Sequence, residues 1–334
     1  MHNPMSDPLT RLLALKPVVF ADGGMGTNLF ELGLANGAAG ELWNVDRPQD
    51  VEDLQERFVA AGADILLTNT FGANRFRFKL HKLEHRVHEL NVAAARLTRR
   101  VADRAGRLVV VAGDIGPTGE LIEPLGEQSA EAVEQALYEQ AVALKEGGVD
   151  VAWIETMFAE SELEAAVRAV RRAGLPYVAT MSFDTGGRTM MGIKPVDAMR
   201  HVCSLSSAPL AFGANCGIGP AQLLDSILGL AEGSAQALPI VAKGNCGLPV
   251  MGDDGQVRYN GTPEIMANYA CLARDAGARI IGGCCGTMPI HLQAMVQAVS
   301  TRPQGPVPTA ADIERVIGPI RRATSGRGAA AARR

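Results

Sequence analysis

Six cysteines are the residues of this chain whose type and spacing most clearly indicate chemistry. Cys284 and Cys285 are adjacent and flanked by glycines, in the segment Gly-Gly-Cys-Cys-Gly that begins at Gly282. A disulfide between neighbouring cysteines is strained, whereas two neighbouring thiolates at a strand-to-turn bend can both face one metal ion. Cys216 could supply a third thiolate from another strand. Three protein thiolates with a fourth position open are typical of a catalytic zinc site.

Cys246 leaves a second type of metal site open. If it completed the shell, four cysteines would hold the ion, and the site would be structural rather than catalytic. The remaining two cysteines, Cys203 and Cys271, lie in helical stretches and are interpreted as small apolar side chains of the core.

Two carboxylates and a glycine-rich turn could bind an amino acid. The turn Asp-Gly-Gly-Met-Gly-Thr begins at Asp22, and Glu155 stands at the end of another apolar run. Consecutive backbone N–H groups at the start of a helix can hold a carboxylate, while Asp22 and Glu155 could hold an ammonium group. Taken singly, each carboxylate could equally cap a helix or pair with an arginine. A dinucleotide fingerprint is not favoured, because Leu29 stands in the place of its third glycine.

Short apolar runs position these residues, and they alternate along the whole chain with amphipathic segments rich in Ala, Glu and Arg. Continuous apolar runs fit parallel strands that are covered on both faces. Eight strands alternating with helices favour an α/β fold of the (β/α)8 TIM barrel type over an open doubly wound sheet. In such a barrel the active site lies at the carboxyl ends of the strands, where the cysteines and carboxylates are found. The expected strands are 18–22, 64–69, 108–113, 151–155, 177–182, 210–216, 240–245 and 280–285.

Glycines and composition set the expected limits of the helices and of the barrel. Each of four glycines stands where a helix should end shortly before a strand, as helix C-caps do. The barrel is expected to take residues 1–300, and the tail 301–334, rich in Pro, Gly, Ala and Arg, is expected to be poorly ordered apart from a short helix near 312–317. The four glycines are Gly62, Gly147, Gly174 and Gly277.

Composition gives no indication of a nucleic-acid or membrane partner. The 334 residues carry 32 basic and 36 acidic side chains, a net charge of −4, and only 4% aromatics, so no basic surface or base-stacking platform is indicated. No run of 18 apolar residues occurs, and the first 17 residues lack a secretory signal. We therefore expect a cytoplasmic protein with thiols in place of disulfides. A homo-oligomer is compatible with the sequence.

Five motifs together resemble the homocysteine S-methyltransferases. The resemblance covers about residues 12–299 and keeps the order of the motifs along the chain. The motifs are Asp-Gly-Gly-Met-Gly-Thr from Asp22, Thr-Asn-Thr-Phe from Thr68, Ile-Glu-Thr from Ile154, Gly-Ala-Asn-Cys from Gly213, and Gly-Gly-Cys-Cys-Gly-Thr from Gly282.

This resemblance implies a reaction and a role for each site residue. Members of the family methylate the sulfur of homocysteine to give methionine, on a (β/α)8 barrel that binds Zn²⁺. Cys246 has no ligand role in the family pattern, which favours an open fourth position. The implied zinc ligands are Cys216, Cys284 and Cys285. The implied substrate contacts are Asp22, Glu155 and the backbone around Gly24 and Met25.

The methyl donor is predicted from Trp43. Members that take the methyl group directly from an ammonium or sulfonium compound resemble this chain in carrying a tryptophan there, and an indole face attracts an onium cation. We therefore expect a small onium donor, glycine betaine first and S-methylmethionine as an alternative. Gly72 and Thr156 stand where animal betaine enzymes have tyrosines, so Phe71 is a candidate to complete the cage. The alternative for Trp43 is an aromatic side chain that only packs at the rim.

Two other functions stay open at this point. The chain could be the homocysteine subunit of a split cobalamin-dependent methionine synthase, with a cobalamin-carrier protein docking in trans, since no cobalamin or folate module follows Val299. A non-catalytic, zinc-stabilised binding protein would instead need four protein ligands, Cys246 among them.

Overall fold

Eight parallel strands form the sheet at the centre of the computed structural model, which describes residues 7–234, 238–252 and 257–321. They are joined in the order β1-β10-β7-β6-β5-β4-β3-β2. A parallel bridge between Ala21 and Ile65 brings the two edges together, so the sheet is a nearly closed (β/α)8 barrel, as predicted. The strands are β1 (Val19–Phe20), β2 (Ile65–Leu67), β3 (Val110–Ile115), β4 (Val151–Met157), β5 (Tyr177–Met181), β6 (Ala211–Cys216), β7 (Ile240–Gly244) and β10 (Ala278–Gly283).

Helices cover the outer face of this sheet. Their buried sides are mostly aliphatic, and they share one large core with the outward residues of the strands. Across the described part of the chain, no helix is long and apolar enough to cross a membrane. The helices are α1 (Pro8–Leu15), α2 (Met25–Glu31), α3 (Trp43–Asp46), α4 (Pro48–Ala60), α5 (Arg75–Lys79), α6 (Val87–Arg104), α7 (Ala130–Gly147), α8 (Glu160–Arg172), α9 (Pro195–Ser204), α10 (Pro220–Ser234), α11 (Pro263–Asp275), α12 (Pro289–Thr301) and α13 (Ala310–Val316).

A second core fills the inside of the barrel and determines where the polar residues emerge. Leu9 and Leu12 of α1 belong to it together with every second residue of the strands, such as Val110 and Ala112. Because side chains alternate along a strand, the next inward position of β3 is Asp114. Inward-facing positions are therefore apolar along most of each strand. The same alternation points charged side chains into the barrel at the carboxyl ends of the strands.

Three of the four predicted glycine caps are confirmed, and one is wrong. Gly62, Gly174 and Gly277 have φ values of 108°, 74° and 97°, the left-handed conformation that ends a helix. At the end of α7 this conformation belongs to Gly148, with φ of 97°. Gly147 is still helical, and a Cβ there would lie 2.3 Å from the Cβ of Ala95 on α6, so close packing of helices requires this glycine.

Two features of the C-terminal part of the chain add to what the sequence predicted. A small antiparallel hairpin, β8 (Pro249–Met251) with β9 (Val257–Tyr259), stands between β7 and α11 and was not predicted. In the tail, α13 corresponds to the short helix expected near 312–317, and its fully buried Ile313 joins the main core. Residues 322–334 of the predicted tail lie outside the described residues.

Candidate active site

The three predicted zinc ligands meet at one point of the barrel rim. Cys216 is the last residue of β6, and Cys284 and Cys285 follow β10 directly. Their three sulfur atoms all lie within 4.8 Å of one another. Tetrahedral zinc with bonds of about 2.3 Å would hold sulfur atoms about 3.8 Å apart, so small side-chain shifts suffice for a common metal ion. The residues present therefore fit Zn²⁺.

Two asparagines hold this thiol cluster in position. Asn245 Nδ2 donates to the carbonyl oxygen of Gly217 (2.6 Å) and lies 3.7 Å from Cys216 Sγ, while its Oδ1 accepts from the backbone N–H of Cys285 (3.0 Å). Asn215 Nδ2 lies 3.8 Å from Cys284 Sγ. N–H groups directed at the sulfur atoms favour the thiolate form, and such supporting contacts fix metal ligands in place.

Cys246 is not part of the thiol cluster among the described residues. Its backbone N–H donates to the carbonyl oxygen of Cys285 (2.8 Å). Its sulfur instead lies against the backbone of Gly261, where an added Cβ would be only 2.7 Å away. Burial raises the pKa of this thiol to about 12. The geometry therefore gives no support to a four-cysteine site.

The thiols of the cluster stay protonated unless a cation joins them. Hydrogen bonding to Cys284 lowers the pKa of Cys216, but hydrogen bonding to Cys285 and burial outweigh it and raise the pKa to about 12. A metal ion that binds thiolates must therefore displace protons from this cluster.

A second cluster, the carboxylate cluster, consists of Asp22, Asp114, Glu155 and Lys243, and all four are buried. Lys243 Nζ lies 3.2 Å from Glu155 Oε2 and 3.9 Å from Asp22 Oδ1. The indole N–H of Trp153 also donates to Glu155 Oε2 (3.1 Å). The two carboxylates predicted to bind a substrate ammonium thus lie together, and an ammonium group of the protein lies beside them.

Electrostatics in the carboxylate cluster are dominated by burial. Burial raises the pKa of Asp22 to about 7, although Lys243 lowers it. Burial raises the pKa of Asp114 well above its ordinary value, and the nearby Glu155 raises it further. For Lys243 burial acts in the opposite direction, but Glu155 and Asp22 outweigh it and raise its pKa. One oxygen each of Asp22 and Asp114 is buried without a hydrogen-bond partner.

The glycine-rich turn approaches the thiol cluster closely. A Cβ on Gly24 would lie 2.6 Å from the carbonyl oxygen of Cys284, so only glycine fits. The Gly24 N–H donates to the carbonyl oxygen of Thr287 (3.3 Å). Met25 begins α2, where the first N–H groups have no partner within the helix.

One cavity of about 1190 Å³, open to solvent, joins the thiol cluster, the glycine-rich turn and Asp114, Glu155 and Lys243 of the carboxylate cluster. Asp22 is not among the residues that line it. Its outer wall carries two aromatic rings, Phe30 and Phe71, and the carboxylate of Glu41. Phe71 rests on Gly116, where a Cβ would lie 2.6 Å from the ring. Glu41 Oε1 accepts a hydrogen bond from the backbone N–H of Gly72 (2.8 Å).

Trp43, predicted to contact the donor, does not line this cavity. Its indole is 7% exposed and belongs to the main core. The guanidinium of Arg47 lies over the ring, 3.8 Å from its centre. The cation that this tryptophan meets in the structure is therefore an arginine of the protein.

Sequence reasoning missed Asp114 and Lys243. Each is the one charged residue of an otherwise uncharged strand, in Val-Val-Ala-Gly-Asp-Ile and Ile-Val-Ala-Lys-Gly. Each also follows an inward-facing aliphatic residue by two positions, Ala112 and Val241. A charge on the inward face of a buried strand near its carboxyl end is a signal that the alternation rule could have detected.

Comparison with known proteins gives consistent matches. The model of the homocysteine S-methyltransferase family matches residues 19–299. The methionine synthase of Mycobacterium tuberculosis is 32% identical over 299 residues, which cover 85% of this chain and 25% of that protein. The methionine synthase of Mycobacterium leprae is 31% identical over 307 residues, covering 87% of this chain and 25% of that protein. This chain thus spans about a quarter of the length of these relatives.

Among solved structures, the homocysteine methyltransferase MmuM from Escherichia coli in its metallated form superposes with a TM-score of 0.72. The two sequences are 24% identical, over 86% of this chain and 99% of MmuM. At that identity the match supports the barrel fold.

Proposed function

Because the chain belongs to the homocysteine S-methyltransferase family, we propose that it methylates the sulfur of homocysteine with Zn²⁺ held by Cys216, Cys284 and Cys285. The observation that carries this proposal is the thiol cluster, with three sulfur atoms within 4.8 Å at the edge of a cavity. A bound zinc ion would make a substrate thiol at its open position a thiolate at neutral pH. All six cysteines are free, and the proposal places the protein in a reducing compartment, the cytoplasm.

The carboxylate cluster supports an amino acid as the substrate. Asp22 and Glu155 would accept hydrogen bonds from the α-ammonium group, and Asp22 Oδ1 has no other hydrogen-bond partner. The backbone at Gly24 and Met25 would face the α-carboxylate, with the first N–H groups of α2 as donors. This arrangement would direct the side-chain sulfur towards the thiol cluster.

Methyl transfer then needs orientation more than acid–base catalysis. The substrate sulfur forms a bond to the methyl carbon, and the bond from that carbon to the donor nitrogen or sulfur breaks. The electron pair leaves with the donor, which becomes neutral at the former onium atom. No proton moves in this step, so the residues around the cavity act by aligning the two reactants.

The outer wall of the cavity supports a small onium compound as the direct donor, and glycine betaine is our first candidate. Phe30 and Phe71 offer aromatic faces, and Glu41 offers a negative charge, which together suit a quaternary ammonium or sulfonium group. The role of Trp43 stays a prediction, and its burial under Arg47 gives it less support than Phe71.

The relatives favour one alternative source of the methyl group. This chain matches about a quarter of each of two methionine synthases, and the alternative is that a cobalamin-carrying protein delivers the methyl group. Its docking would use the same open cavity. A zinc-stabilised binding protein is not favoured, since Cys246 lies outside the thiol cluster.

Methionine formation from homocysteine tests the proposal directly. Glycine betaine, S-methylmethionine, dimethylsulfoniopropionate and methylcobalamin would be compared with the zinc-loaded protein. We expect turnover with glycine betaine and none in Cys284→Ala. Turnover only with methylcobalamin or its carrier would show that the methyl group comes from cobalamin and not from an onium compound. No turnover with any donor would contradict the enzyme proposal.

A further inference from the structure

Lys243 is a buried cation on the floor of the substrate cavity. It follows the inward-facing Val241 by two positions on β7, and its side chain is 2% exposed. It lines the cavity together with Asp114, Glu155 and Cys284. Burial of a charged lysine is costly unless opposite charges compensate it. The groups around Lys243 must therefore supply the negative charge that compensates its burial.

The groups that face Lys243 come from several strands of the barrel. Asp22 follows β1, Asp114 belongs to β3, Glu155 to β4, and Cys284 follows β10. The ring of Trp153 lies below, with its centre 5.3 Å from Nζ. Lys243 is thus placed between carboxylates that would otherwise repel one another.

The carboxylates nevertheless keep room for one more cation. The hydrogen bond from Lys243 goes to Glu155 Oε2, whereas Asp22 Oδ1 lies 3.9 Å from Nζ and has no hydrogen bond. Asp114 Oδ1 also lacks a partner. Burial raises the pKa of Asp114 well above its ordinary value. Beside Lys243, Asp22 Oδ1 therefore remains available to accept a hydrogen bond from one substrate ammonium.

We propose that Lys243 is a positioning residue that holds Asp22 and Glu155 in place to accept the α-ammonium group of the substrate. It acts through the carboxylates and does not touch the reacting sulfur or methyl carbon. The inference rests on the proposed function, since it takes homocysteine as the ligand. It also explains why a buried lysine and a substrate ammonium would share one carboxylate pair.

Binding measurements on the zinc-loaded protein test this role without methyl transfer. Homocysteine and 4-mercaptobutyrate, which has the same thiol and carboxylate but no amine, would be titrated by calorimetry into wild type and Lys243→Met. We expect the variant to bind homocysteine about tenfold more weakly, from the loss of one charge-assisted contact, and 4-mercaptobutyrate equally well. The kcat at saturating homocysteine and the zinc content should stay close to wild type. Lys79→Met, at an exposed position on α5, is the matched control and should change nothing.

The Glu155→Gln background supplies a second test. If Lys243→Met alone does not fold, the double variant is compared with Glu155→Gln alone, and the two should bind homocysteine almost equally. In this background the added Lys243→Met substitution should cost homocysteine binding clearly less than in wild type, because Lys243 acts through Glu155. An equal cost in both backgrounds would overturn the proposal, as would tighter homocysteine binding in Lys243→Met. Equal losses for homocysteine and 4-mercaptobutyrate would also overturn it, because Lys243 would then hold the substrate carboxylate or the fold itself. If wild type binds no homocysteine at all, the proposed function fails, which is a different result.

Discussion

The thiol cluster lines one cavity together with Asp114, Glu155 and Lys243 of the carboxylate cluster, and both clusters gather like groups that are costly to ionise when buried. They differ in where the compensating cation comes from. The carboxylate cluster contains Lys243, 3.2 Å from Glu155, whereas the thiols hydrogen-bond one another, and the pKa of Cys216 is raised to about 12. In the proposed enzyme one cluster is organised by the chain itself and the other only when a metal ion binds.

This difference explains how the two clusters could divide the work. A cluster with its own cation is ready for a zwitterionic amino acid before any metal is present. A cluster of neutral thiols gains its charge together with the metal ion, next to the place where the substrate sulfur would lie. Metal removal should therefore abolish methyl transfer but leave part of the amino-acid binding.

The largest expected effect comes from removing a thiol. Cys284→Ala should lose stoichiometric zinc and reduce methionine formation by about a thousandfold or more, because two remaining thiolates hold the ion poorly. Metal content by atomic absorption, with kcat measured alongside, is the check. Cys246→Ala is the matched control and should keep its zinc. Full zinc occupancy in Cys284→Ala would contradict the ligand assignment, and loss of zinc in Cys246→Ala would restore the four-cysteine site.

Removing a carboxylate should have a smaller and different effect. Asp22→Asn and Glu155→Gln should each raise the homocysteine KM by about 10- to 100-fold, since a charged hydrogen bond contributes about 1.5–3 kcal/mol. Zinc should stay bound, because neither side chain belongs to the thiol cluster. Unchanged kinetics in both folded variants would exclude an amino-acid site at this position.

The two clusters also differ in how far the sequence could predict them. All eight strands were found because each is a short apolar run, and Cys216, Cys284 and Cys285 stood out because thiols are rare and lay at the ends of those runs. Lys243 and Asp114 were missed, since a single charge inside an apolar run gives no sign of its partners on other strands. The donor role of Trp43 stays a prediction: its residue type suggested a cation site, and only the fold shows that Arg47 lies over its ring.

Acidification should weaken amino-acid binding through Asp22. Burial raises the pKa of this carboxyl to about 7, and the ionised form is the one that accepts an ammonium group. As the pH falls below 7, Asp22 takes up a proton and affinity is lost; as the pH rises above 7, affinity reaches a plateau. Between pH 8 and pH 6 the ionised fraction falls about tenfold, and so should the affinity for methionine. Methionine is the suitable ligand because its thioether does not titrate. If its affinity for the Asp22→Asn variant does not change with pH, the pH dependence in wild type is due to Asp22.

The smallest expected effect concerns the donor, and it separates Phe71 from Trp43. Phe71 is 37% exposed in the cavity wall, so Phe71→Ala should raise the KM for glycine betaine about fivefold, from the loss of about 1 kcal/mol of cation–π attraction. The homocysteine KM and the zinc content should not change, because Phe71 belongs to neither the carboxylate cluster nor the thiol cluster. Trp43→Phe keeps an aromatic ring in the core and should leave the donor KM at the wild-type value while lowering thermal stability, since a buried side chain is shortened. The opposite pattern, a donor KM raised by Trp43→Phe and unaffected by Phe71→Ala, would show that Arg47 gives way to the donor and that the tryptophan is the onium contact after all.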